Sequence, residues 1–223
     1  MNDNTAEHPG PPAPPIYVWV LAAIIAGIEI LFQLADAGIL PWPDLRWHGY
    51  LLLAFFDPLF EAWLNGEKVP MIAWTGTISH VFAHGGAIHM ALNTAAFLAL
   101  GGMVANVLGP ARFAILFLAT ALGGVLTFAA ITDFRGPMVG VSGVLFGLIG
   151  ALKRWEWRYI QIAGAPATQF WRTIIVLIVI NVLLGFYFTM GGGLAWEAHL
   201  GGFIAGFLVA GPLAPRLAGP SPI

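Results

Sequence analysis

The sequence predicts an all-α, polytopic membrane protein of six transmembrane helices, and three observations lead there. Hydrophobic residues make up 59% of the 223 and charged residues only 9%, against about a quarter charged in an ordinary soluble domain. The mean hydropathy is +0.84. The apolar residues gather into runs that approach or reach the roughly 20 residues a helix needs to cross a bilayer, with short polar or glycine- and proline-rich breaks between them. Cysteine is absent, which excludes disulfides, zinc–thiolate sites and thiol catalysis. The net charge of −2 comes with no basic cluster of the kind that grips phosphates, so nucleic acid is not an expected partner.

Residues 1–15 form a polar, proline-rich tail expected to be disordered. The membrane domain then runs over 16–213, and 214–223 is a short second tail. The first span covers Ile16 to about Leu34. A cleaved signal peptide is the rival reading, because Ala35-Asp36-Ala37 resembles a small-residue cleavage site; no Lys or Arg precedes the run, however, and it is long for a signal core. Glu29 lies inside it, at a depth where an ionisable group is a functional candidate. A protonated or hydrogen-bonded Glu at a helix contact is the plainer reading. Residues 36–71 make a long outer connection whose patch from Tyr50 to Phe60 is too short to span. With Trp42, Trp47 and Trp63 it suits the membrane interface.

The second span is predicted from Gly86 to Val107 and the third from Arg112 to Thr132. A polar turn, Asp133 to Pro137, leads to a short, glycine-rich fourth span, Val139 to Leu152, ended by Lys153-Arg154-Trp155-Glu156-Trp157-Arg158. The fifth runs from Phe170 to Met190, and Gly191-Gly192-Gly193 turns into the sixth, Trp196 to Leu213. Six spans put both termini on one side. With the tail inside, Arg112, Lys153, Arg154, Arg158, Arg172 and Arg216 are inner, and Arg46, Lys68 and Arg135 are outer. That bias is the one expected of cytoplasmic termini. Spans two, four and six then all begin at the outer side, so their polar residues share a depth.

Those residues could carry chemistry. Ser142 lies between glycines in Gly140-Val141-Ser142-Gly143. His89 and Asn93, four apart, share one helix face. His199 lies one turn into span six, ahead of Gly202 and Gly206, a spacing that lets two membrane helices approach closely. A Ser hydroxyl needs a base in hydrogen-bond reach, which His199 could be. Asn93, His89 and the Ser142 N–H are suitable donors to a developing oxyanion, and one such donor can lower the barrier by about 3 kcal/mol. Taken alone, a membrane Ser is more often a packing residue and a lone His a buried, hydrogen-bonded one. His80, His84, His89 and His199 could instead form a metal site, but no carboxylate stands among the histidines of span two. Glu197 reads as an interfacial charge.

The set His84-x4-His89-x3-Asn93, Gly140-x-Ser142-Gly143 and Ala198-His199-x2-Gly202-x3-Gly206, in this order over spans two, four and six, resembles the rhomboid intramembrane serine proteases. The likeness covers about Trp74 to Pro212. It implies a rhomboid-like bundle in which Ser142 is the nucleophile and His199 the base of a Ser–His dyad, His89 and Asn93 stabilise the oxyanion, and His84 lines a water-accessible cavity. It implies transmembrane protein substrates that enter between helices past span five, with no metal or other cofactor. The compact six-span size suits a bacterial inner membrane, with the active site open to the outer side; the oligomeric state is open. Two departures stand out. The Trp-Arg that many members carry before the histidines is replaced by Ala73-Trp74-Thr75-Gly76, so the first outer loop needs another anchor. Phe146 stands where tyrosine is frequent; it can stack on the His199 ring but has no hydroxyl. The alternatives are a catalytically silent rhomboid-like protein that binds membrane clients, and a proton or metal transporter using Glu29 and the histidines.

Overall fold

The computed structural model describes residues 12–188 and 195–214. The N-terminal tail through residue 11, the end of the fifth run at Met190, the Gly191-Gly192-Gly193 turn and the C-terminal tail past residue 214 lie outside the described residues. The described chain is helical, with one isolated antiparallel bridge, between Phe55 and Met138.

Helix α1 spans Ile16–Asp36. Val18, Ala22, Ile25, Glu29 and Phe32 recur at three- and four-residue intervals and are buried, while Trp19, Val20, Ile24, Ile30 and Leu31 lie bare on the other side. An apolar face of that extent would need cover in water; in a bilayer it meets lipid. The start of α1 is tied to the far end of the next long helix, where the Tyr17 hydroxyl donates to the Ala105 carbonyl at 3.2 Å. Its end lies by His84, so the two helices run antiparallel.

The outer connection folds into short helices: α2 (Leu45–Leu53), α3 (Asp57–Leu64) and α4 (Ile72–Ser79), followed by a 3₁₀ turn, His80–Phe82. Two anchors hold it. The Phe55–Met138 bridge joins it to the segment before Ser142, and there Arg135 pairs with Asp57 at 3.2 Å and Glu61 at 3.3 Å. The second anchor is Arg46. Its guanidinium forks onto both Glu29 oxygens at 2.9 and 3.1 Å and reaches Asp36 and the His84 carbonyl. Gln33 donates to the same Glu29 carboxylate at 2.8 Å. Burial works against the Arg46 charge, yet its hydrogen bonds to Glu29 and Asp36 raise its pKa above the ordinary value. Glu29 is thus a hydrogen-bonded Glu at a helix contact, and its main partner comes from the loop.

Helix α5 (Ala87–Ala96) continues through a π-helical turn, Phe97–Gly101, into α6 (Gly102–Ile131). This 45-residue apolar stretch and α1 are long and apolar enough to cross a bilayer. It is not straight. Gly109 has φ 72° and ψ 172°, a conformation open to glycine, and Pro110 follows at the first position of the next helical half. The Phe97 ring lies 6.1 Å from that of Phe117; an unbroken helix would separate them by about 30 Å. The chain therefore doubles back at one residue, where the sequence suggested a short connection from Leu108 to Ala111.

Helix α7 (Ser142–Ala163) outlasts the fourth run predicted to end at Leu152. The charged stretch stays helical because its long side chains lie along neighbours. Lys153 pairs with Glu156, Arg154 covers the Phe207 ring at 5.6 Å, and the Trp155 indole donates to the Ala210 carbonyl at 3.1 Å. Helix α8 (Thr168–Phe188) touches the bundle at its base, where Phe170 and Trp171 pack on Trp157. Helix α9 (Trp196–Leu213) packs most extensively on α7, and next on α6.

Candidate active site

The α7–α9 contact is backbone on backbone. A Cβ added to Gly202 would fall on the Gly143 carbonyl, and one added to Gly206 on the Gly147 carbonyl. Pairing 143 with 202 and 147 with 206 makes the helices parallel, with both N-termini at the same end. Lipid tails are as apolar as leucine side chains, so close van der Waals approach through small residues is what holds such helices together. Ser142 begins α7, and His199 lies one turn into α9. The seam sets them opposite each other: Ser142 Oγ and His199 Nε2 are 2.8 Å apart.

The His199 ring is 3% exposed, and Phe146 stacks on it with centroids 4.3 Å apart and planes within 5°. On the far side of the ring, His199 Nδ1 lies 2.7 Å from Asn181 Oδ1 of α8. Asn181 was not singled out from the sequence. The available signal was a polar amide set among Ile178, Val179, Ile180 and Val182 in an otherwise apolar run.

Ser142 also gains from its place at the start of a helix. Leu145 is the first α7 residue whose N–H reaches back, to Val141, so the Ser142 and Gly143 N–H groups have no intrahelical acceptor. They sit at the positive end of the helix dipole. Just before them, Gly140 has φ 120° and leaves no room for a side chain, since a Cβ would come within 3.1 Å of two atoms of the His89 ring. His89 Nδ1 accepts from the Gly85 N–H at 3.4 Å, which leaves its Nε2–H to face Gly140. Asn93 is buried one turn further along α5. His84 Nε2 accepts from the Val141 N–H at 3.5 Å, and its ring meets that of His89 edge-on. Its Nδ1 is buried with no protein partner among the described residues. His84, His89, Gly140, Ser142, Phe146 and His199 thus form one cluster, with Gly143, Gly202 and Gly206 in the seam beneath it.

One expectation changes. Glu197, read as an interfacial charge, is buried on the first turn of α9, with 8% exposure. His80 bonds through Nδ1 to the Gly76 carbonyl at 3.0 Å, and its own carbonyl accepts from the Gly140 N–H at 2.9 Å. Among the described residues, no group of three or more His, Asp or Glu side chains is placed to hold a metal ion.

Residues 72–216 match the family profile described as "Rhomboid domain". The chain is 31% identical to RHOMBOID-like protein 5 of Arabidopsis thaliana over 170 residues, 69% of this chain and 53% of that protein. It is 33% identical to the Rhomboid protease GluP of Bacillus subtilis over 150 residues, 66% of this chain and 27% of that protein. It is 24% identical to the Rhomboid protease GlpG of Salmonella typhi over 204 residues, 88% of this chain and 62% of that protein. The chain therefore spans less than two thirds of the length of each of these relatives.

Proposed function

The chain belongs to the rhomboid family of integral membrane proteins, and from that premise we propose that it is an intramembrane serine endopeptidase using Ser142 and His199. The observation that carries the reading is the 2.8 Å approach of Ser142 Oγ to His199 Nε2 across two helices. Nε2 takes the Oγ proton as Oγ attacks a peptide carbonyl. The carbonyl oxygen becomes an oxyanion at the start of α7, where the Ser142 N–H, His89 Nε2–H and the Asn93 amide can donate to it. Collapse of the intermediate breaks the C–N bond, and the leaving amine takes the proton from Nε2. A water then repeats the sequence to release the acyl group from Ser142. The buried polar side chains of His84, His89 and Asn93 offer that water hydrogen bonds inside an otherwise apolar protein.

The substrate is a transmembrane segment of another protein. Its helix must unwind at the cut, since intact backbone hydrogen bonds shield the carbonyl, so Gly, Pro and other poor helix formers near the cut favour cleavage. We read six crossings: α1, the two halves of the Ala87–Ile131 stretch, α7, α8 and α9. Arg46, Lys68 and Arg135 lie on the outer side with the site, and Lys153, Arg154, Arg158 and Arg172 on the cytoplasmic side. A transport reading has little support, because the Glu29 carboxylate is already held by Arg46 and Gln33.

The test is cleavage of a model transmembrane substrate in liposomes. Ser142→Ala and His199→Ala should each abolish cleavage while the protein stays folded, and a serine-reactive phosphonate should label Ser142. Cleavage surviving either substitution, or label on another residue, would remove the dyad.

A further inference from the structure

Asn181 has a feature that the dyad does not need and that its surroundings make specific. Its Nδ2 donates to the Trp196 carbonyl at 3.4 Å. A carbonyl can only accept, so the orientation of the amide is fixed, and Oδ1 is the atom that faces His199 at 2.7 Å. Oδ1 in turn can only accept, so His199 Nδ1 carries the ring proton. In the neutral imidazole this leaves the lone pair on Nε2, where Ser142 Oγ lies 2.8 Å away. Stacking on Phe146 fixes the plane of the ring but does not choose between its nitrogens.

The second observation is where Asn181 sits. Helix α8 exposes Ile175, Ile178, Val179, Val182 and Leu183, and among the described side chains its aromatic contacts with α7 are at its base, at Phe170 and Trp171. Near the site, the two bonds of the Asn181 amide tie α8 to α9. Moving α8 aside by one side-chain width breaks both.

We infer that Asn181 is a positioning residue for the reaction: it holds His199 with its proton on Nδ1 and Nε2 toward Ser142, and makes that alignment depend on where α8 stands. The inference rests on the protease reading above. As the proton moves from Oγ to Nε2, the ring becomes an imidazolium, and the Nδ1–H bond to Oδ1 becomes charge-assisted and stronger. Asn181 thus acts on the transition state more than on substrate binding.

The experiment compares the wild-type chain, Asn181→Leu and the near-isosteric Asn181→Asp in liposomes. Cleavage is followed across pH and phosphonate labelling of Ser142 is timed. Labelling by a small reagent does not require a substrate helix to pass α8, so it reports on the dyad alone. Asn181→Leu should lower kcat and the labelling rate about 10- to 100-fold, the loss expected for one hydrogen bond to a developing charge, with KM little changed. Asn181→Asp keeps an acceptor at Nδ1 but loses the donor to the Trp196 carbonyl, and it should still recover most of the rate, which assigns the effect to Nδ1 and not to the tie between α8 and α9. A carboxylate there favours the protonated ring, so the acid limb of kcat/KM should move to higher pH in Asn181→Asp and to lower pH in Asn181→Leu. His84, His89 and Glu197, the other titratable groups around the site, are the same in all three proteins. If Asn181 only fastened α8 to α9, KM and thermal stability would change while the acid limb and labelling rate stayed where they are, and the inference would fall. Should Asn181→Leu not fold, the limb in Asn181→Asp decides alone. A wild-type chain that cleaves nothing and takes no label overturns the protease reading itself, an outcome distinct from an active wild type with an indifferent Asn181.

Discussion

The ion pair between Glu29 and Arg46 shows how much a single buried charge demands of its surroundings. Glu29 has no solvent exposure, and Arg46 supplies two of its hydrogen bonds. Arg46→Met would leave the carboxylate buried without its cation, which should lower stability by about 3 kcal/mol. Adding Glu29→Gln should restore most of that, because the buried charge then disappears with its partner. Thermal unfolding in detergent checks both; a single substitution without effect would mean that Arg46 is not the counter-ion. Arg46 also donates to the His84 carbonyl at 3.2 Å, beside Tyr50, which donates to the same oxygen at 2.9 Å. The pair therefore holds a residue of the site's rim, and the anchor that the missing Trp-Arg left unassigned is found here. The sequence announced one half of it. A Glu inside an apolar run requires a partner, but nothing local points to an Arg 17 positions away in a loop.

Helix by helix, the legible features were those that repeat or break a pattern. The apolar runs marked the long helices, and the glycine spacing marked the face shared by α7 and α9. What local pattern could not give was the extent of α7. Lys153 to Arg158 reads as an end, and it continues as helix only because Phe207, Ala210 and Glu156 receive its side chains. The site was legible where its members lie at fixed helical spacing, as with His89 and Asn93, or beside glycines, as with Ser142. Asn181 was not, because its partner His199 lies 18 positions on in another helix and no spacing rule links them. The seam makes its own prediction. Gly206→Ala places a methyl on the Gly147 carbonyl, so α7 and α9 must part. On the protease reading, a shift of about 1 Å between Ser142 and His199 is enough to lower activity about 100-fold. The control is Gly27→Ala, where nothing lies within 4 Å of the added Cβ. Equal activity in the two variants would mean that the seam does not set the dyad.

Across the whole molecule, charge and aromatic residues divide the bundle into two ends. Arg46 and Arg135 lie at the end where α7 and α9 begin. Lys153, Arg154 and the Trp157–Phe170–Trp171 cluster lie at the other. The natural absence of cysteine allows a direct test of orientation. Lys68→Cys should react with a membrane-impermeant maleimide added to intact cells, and Arg158→Cys only after the membrane is opened. The reverse pattern would invert the orientation and place the site on the cytoplasmic side.

The turn at Gly109 bears on how the protein is made. A single residue separates two apolar helices, so no hydrophilic loop exists for the first to lead into or the second to start from. Joined through Phe97, Phe113 and Phe117, the two halves form one hairpin and are expected to insert as a unit. The second half of that hairpin is also the surface on which α7 and α9, the helices carrying Ser142 and His199, pack.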